Sequence, residues 1–144
     1  MTDTPTAALP RAVRGVRVHS RQTIGACAPT YGRVELDFEP VPAGVSSSVE
    51  FTCTAEPEPS PEYERALIQG VLRELAAAGS GAPDPHPGAP VRARVLVRAM
   101  SWHWVDSCET TFTRLGALAV REALSCVAED REPRLVDTRA RLTS

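Results

Sequence analysis

The stretch SWHWVDSCE, residues 101–109, gathers both tryptophans of the chain, Trp102 and Trp104, around His103, one of only three histidines. Three chemistries suit these side chains. Indole and imidazole rings stack on unpaired bases, a contact worth roughly 1–3 kcal/mol per base, and Arg33 and Arg98 supply guanidinium groups suited to phosphate. His103 and Asp106 with Cys27 and Cys108 offer nitrogen, oxygen and sulfur donors for zinc, but their spacing fits no tetrahedral metal motif. Free cysteines more often serve as small hydrophobes, so no metal and no cofactor is expected. Asp106, Ser107 and His103 are the residue types of a catalytic triad, which also needs mutual aim and an oxyanion hole. A helix N-cap role for Asp106 explains the Asp-Ser pair more simply. The cluster reads as a binding surface, and the chain as a non-enzyme.

The totals agree. A length of 144 residues gives one domain with a single core. The net charge of −2 argues against a general polyanion binder but leaves room for a local basic patch. All the basic residues are Arg. No apolar run approaches the roughly 18 residues of a membrane span, and no leader pattern opens the chain. A cytoplasmic location with reduced thiols follows, and no membrane or nucleotide partner.

The elements that must position the cluster are legible from periodicity. Residues 1–12 read as a flexible tail, 13–136 as one domain, and 137–144 as a second tail. In "VRGVRVHSRQT", Val16 and Val18 share one side of a strand. In "RVELDFEP", Val34, Leu36 and Phe38 face one way and Glu35, Asp37 and Glu39 the other, the pattern of a sheet covered on one side. "VEFTCT" repeats it with Val49, Phe51 and Cys53, and an antiparallel hairpin with the preceding strand is expected. "SPEYERALIQGVLRELAAAG" changes to helical period: Ser60 caps, Pro61 opens, Gly79 closes, and Tyr63, Leu67, Val71 and Leu75 form the stripe. Four prolines between Ser80 and Pro90 mark a linker, in which His86 has no special claim. "VRARVLVRA" puts Val91, Ala93, Val95 and Val97 inward and Arg92, Arg94 and Arg98 outward, with Glu50 a ready partner for that row. Asp106 and Glu109 make a capping box for a second helix with Phe112, Leu115, Ala119 and Ala123 on its stripe and Gly116 allowing close approach. Cys53 and Cys126 fall on apolar stripes. "PRLVD" is a candidate short edge element. The order β-β-β-α-β-α gives an α+β two-layer sandwich, with a four-stranded sheet and two helices on one face.

Three segments carry a resemblance. "VDSCETTFTRLGALAVREAL" resembles the final helix region of domain IV of elongation factor G. "PEYERALIQGVLREL" resembles that domain's first helix, and "RQTIGACAPTYGRVELDFEPVPAG" the loop between its first strands. The likeness runs in order from about Val16 to Leu135. It implies a left-handed βαβ crossover, an exception to the usual hand, and a finger whose tip enters the ribosomal decoding site. The tip loops would match Gly25–Arg33 and Ala99–Val105, with His103 at the tip histidine and Tyr31-Gly32 at the loop's Tyr-Gly. The sequence departs from the pattern at Pro29, at Arg33 in place of His, at Ala99-Met100 in place of Asp-Gly, and at Trp104 in place of an acid. It holds no G-x-x-x-x-G-K-[ST] and no room for a GTPase domain, so a lone domain is expected.

The candidate contact residues are therefore Tyr31, Arg33, Arg98, Trp102, His103 and Trp104. The expected partner is ribosomal or other structured RNA. The alternative is a protein partner or a second copy docked on the tip or the open sheet face, for which near-neutral charge and exposed tryptophan speak.

Overall fold

Alternation, helix stripes and caps build most of the architecture. The computed structural model describes residues 7–22, 30–77, 91–103 and 107–137. Its elements are β1 (Ala7–Ala8), β2 (Val13–Gln22), β3 (Thr30–Glu39), β4 (Ser48–Phe51), α1 (Pro61–Ala77), β5 (Val91–Arg92), β6 (Arg94–Ser101), α2 (Glu109–Glu129) and β7 (Val136–Asp137). The main sheet has five strands in the order β4-β6-β3-β2-β7, and β1 pairs with β5 beside it. α2 lies over β2 and β3, α1 lies over β4 and β5, and the helices pack along each other.

Period 2 delivers the expected core. Val16, Val18, Val34, Leu36 and Phe38 are buried, as are Leu67, Val71, Phe112, Leu115, Ala119 and Ala123 above them. Two glycines set the distance between the helices. A Cβ on Gly70 would run into the Thr113 carbonyl, and one on Gly116 would stand 2.7 Å from the Leu67 carbonyl oxygen. At Ser60, the hydroxyl accepts from the Tyr63 N–H at 3.5 Å and the carbonyl from the Glu64 N–H at 2.9 Å, with Pro61 first in the helix.

Five expectations change. β4 does not form a hairpin with β3: it runs parallel to β6, which inserts between them and pairs antiparallel with β3. Alternation tells a strand's face but not its neighbour, and α1 returns the chain to a parallel position. The four-stranded count becomes five because β7 adds parallel to β2 at Val18 and His19, the short edge element that "PRLVD" suggested. The strand expected over 91–99 is divided into β5 and β6. Residues 7–12 belong to the fold, since Leu9 is only 1% exposed and Arg11 donates to the carbonyls of Cys126 and Arg131. Finally, α2 begins at Glu109 with Cys108 as its N-cap, which makes no side-chain cap bond; Asp106, the expected cap, lies outside the described residues.

The far end of α2 is held by charges. Asp130 takes a left-handed conformation and its N–H closes the helix on Cys126 and Val127. Arg131 turns back to Glu122 at 2.7 Å and to Glu129 at 2.7 Å. Burial pushes the Glu122 carboxyl up, but hydrogen bonds from Arg131 and the Arg134 N–H outweigh it and leave it below its usual value. Burial likewise lifts the neighbouring Cys126 thiol to about 11, an unreactive group.

Candidate functional site

The two segments expected to form the tip do meet, and Ser107 joins them. Its hydroxyl donates to the Tyr31 carbonyl at 2.8 Å and accepts from the His103 N–H at 2.8 Å. The Ser107 N–H closes a turn on the His103 carbonyl, and the Tyr63 hydroxyl donates to the Ser107 carbonyl at 3.0 Å. Burial first, then nearby Cys108, Glu62 and Glu109, push the Tyr63 phenol up, so it stays a donor. The rings of Tyr31 and His103 meet edge to face with centroids 6.3 Å apart. Gly32 makes this possible, because a Cβ there would stand 2.6 Å from Leu115 and 3.2 Å from Phe112.

This geometry answers the triad reading. The Ser107 proton is committed to a backbone carbonyl, and its acceptor side takes a backbone N–H rather than the imidazole. The serine fastens loops.

Trp102 does not stand at the tip as expected. It is 8% exposed, its ring lies against Tyr63 at 5.3 Å, and Nε1 donates to the Glu58 carbonyl at 2.7 Å. The cause is a bulge: Glu35 pairs with Ala99 and Leu36 with Val97, so Arg98 is an extra residue. Beyond it the facing reverses, and Met100 and Trp102 turn inward while His103 is exposed. Trp104 and Cys27 lie outside the described residues. Cys108 is exposed, Cys53 partly buried and Cys126 buried; among the described residues no group of three metal-binding side chains assembles.

Arg33 and Arg98 do come together, in a cleft of about 280 Å³ on the sheet face opposite the helices. Arg17 and His19 of β2 line it with them, as do Glu35 and Glu56. The register explains the gathering: Arg17 pairs with Glu35, His19 with Arg33, and Arg33 with Ser101. Ala99, beside the bulge, lines the same cleft. Arg98 is steadied by Asp37 at 3.5 Å, and Asp37 also accepts the Gly15 N–H at 2.9 Å. Sequence reasoning missed Arg17 and His19, since their nearness to Arg33 depends on which strands pair.

The rest of the arginine row is satisfied within the molecule. Arg94 holds Glu50 at 2.9 Å and Glu39 at 3.5 Å, and Arg92 donates to the carbonyls of Pro42 and Val45. The Arg94 hydrogen bond keeps the Glu50 carboxyl below its usual value. No described helix is long and apolar enough to cross a membrane.

The architecture and the sequence both have relatives. Elongation factor G of Thermotoga maritima is 33% identical over 95 residues, covering 65% of this chain and 13% of that protein. Elongation factor G of Thermotoga neapolitana matches to the same extent. A crystal structure of a Thermus thermophilus protein superposes with a TM-score of 0.58 at 25% identity, over 86% of this chain and 17% of that one. No protein-family model matches the sequence. The chain thus spans about an eighth of the length of the factors it resembles, and the likeness to an elongation factor G domain read from its motifs is shown.

Proposed function

We propose that the chain binds ribosomal or other structured RNA through the end of the sheet where Tyr31 and His103 meet, and that it carries out no chemical step there. One observation carries this reading: the Tyr31–His103 ring pair stands on the same sheet face as Arg33, held to Ser107 by a double hydrogen bond. Rings of this kind stack on splayed bases, and guanidinium groups beside them take phosphate. The relationship to elongation factor G supports RNA as the partner. Trp102 contributes from below, as part of a Trp102–Tyr63–Phe112 aromatic cluster that supports the Ser107 turn. Arg98 completes the proposed surface.

Co-sedimentation with ribosomes at moderate salt tests the reading. The wild-type protein is expected in the ribosomal pellet, and a Tyr31→Ala/His103→Ala variant in the supernatant. Absence of the wild type from the pellet, or equal pelleting of both, would defeat it. Both substitutions lie at partly or fully exposed side chains, so the variant keeps its fold, which near-UV circular dichroism verifies.

A further inference from the structure

The cleft on the open face goes beyond a general RNA surface. Three adjacent strands each contribute an arginine to the lining of one hollow: Arg17 from β2, Arg33 from β3 and Arg98 from β6. Among the described residues Arg17 and Arg33 make no ion pair, in contrast to Arg94, which is engaged twice. Arg98 is aimed by the bulge and held by Asp37. The hollow measures about 280 Å³, against the roughly 30 Å³ that a water takes and the lower bound near 300 Å³ for small-molecule pockets. It has room for one small polar group. Guanidinium forks match phosphate oxygens. Glu35 and Glu56 in the same lining oppose a bare anion but accept hydroxyl donors, so the best-matched ligand carries both a phosphate and hydroxyl groups.

We propose that this cleft binds one phosphorylated sugar, with Arg17, Arg33 and Arg98 on the phosphate and Glu35 or Glu56 accepting from a sugar hydroxyl. A free sugar phosphate and a single nucleotide of an RNA chain present the same chemistry. The site stands whether or not the Tyr31–His103 tip binds RNA.

The test is an amide-resolved NMR titration with ribose 5-phosphate at constant ionic strength. Saturating shifts are expected at residues 17–19, 33–35 and 98–101. Arg17→Gln and Arg33→Gln should each weaken the apparent affinity at least fivefold, while Arg65→Gln on the exposed side of α1 leaves it unchanged. Shifts that grow linearly without saturating, that spread over the arginines of the whole surface, or that survive both substitutions would overturn the site. A single-stranded RNA hexamer then identifies the source. Displacement of the hexamer by ribose 5-phosphate assigns the cleft to a nucleotide of the chain, and saturable ribose 5-phosphate binding without displacement assigns it to a free sugar phosphate. Tyr31→Ala/His103→Ala separates the two readings: it should abolish ribosome pelleting and leave this titration intact. Loss of pelleting in the wild type beside intact titration would sink the RNA reading alone.

Discussion

Under the helices the sheet presents Val16, Val18, Val34, Leu36 and Phe38, none more than 1% exposed. On the other side β2, β3 and β6 present Arg17, Arg33, Glu35 and Arg98 to water. The helices over the first face are close-packed to the point where two glycines are required, with Gly70 against Thr113 and Gly116 against Leu67 and Val71. The second is tied by exposed ion pairs and one buried anchor, Asp37, which the Gly15 N–H and Arg98 satisfy. The difference teaches where this fold can vary. Packing at the density of a protein interior punishes a change of one methyl group, whereas a solvated charge is exchanged at small cost. A binding site belongs on the tolerant face.

The contrast breaks most readily at the boundary between the faces. Trp102→Ala should cost about 3–5 kcal/mol, the range for truncating a buried large aromatic, read as a lower urea midpoint. A loss under about 1 kcal/mol would return that indole to the surface. Gly70→Ala should cost about 3 kcal/mol, because overpacking against a backbone carbonyl outweighs the roughly 1 kcal/mol gain in helix propensity. Ser107→Ala is smaller, about 1–2 kcal/mol, since it leaves the Tyr31 carbonyl and the His103 N–H without their partner. Its sharper signature is broadening of the Tyr31 and His103 resonances with little change at α1.

Much of the protected face was legible in the sequence. The alternation through Val34, Leu36 and Phe38 and the Ser60-Pro61 start of α1 follow from local rules. The site was legible only in part. Arg98 is a bulged residue, and one inserted position reverses the facing of everything after it, so alternation carried on from Val95 and Val97 does not give the side on which Trp102 lies. The pairing of β6 with both β3 and β4 is a long-range choice that period 2 does not encode. Ser107 acts across 76 residues on Tyr31, and neither position announces the other. The charged run around Arg131 has no periodicity that names a partner, yet Glu122, two turns back on α2, captures Arg131.

The smallest expected effect decides whether the two faces truly differ in kind. Glu122 and Glu50 both accept from arginine at close range, at 2.7 Å and 2.9 Å, and both carboxyls lie below their ordinary value of 4.5. A carboxyl whose folded value is depressed stabilises the fold fully above the unfolded value, and loses that contribution as pH falls through the folded one. Glu122 has a side chain 11% exposed and ties Arg131 and the Arg134 N–H to α2. The side chains of the Glu50–Arg94 pair are 49% and 46% exposed, so water and salt screen them. In urea titrations at about pH 7, Glu122→Gln should therefore unfold earlier than the wild type, and the two curves should converge below about pH 4. Glu50→Gln should overlay the wild type at both pH values and at low and high salt. If Glu50→Gln fell as far as Glu122→Gln at neutral pH, the open face would be a structural surface rather than a free one, and a ligand there would have to compete with the fold for its arginines.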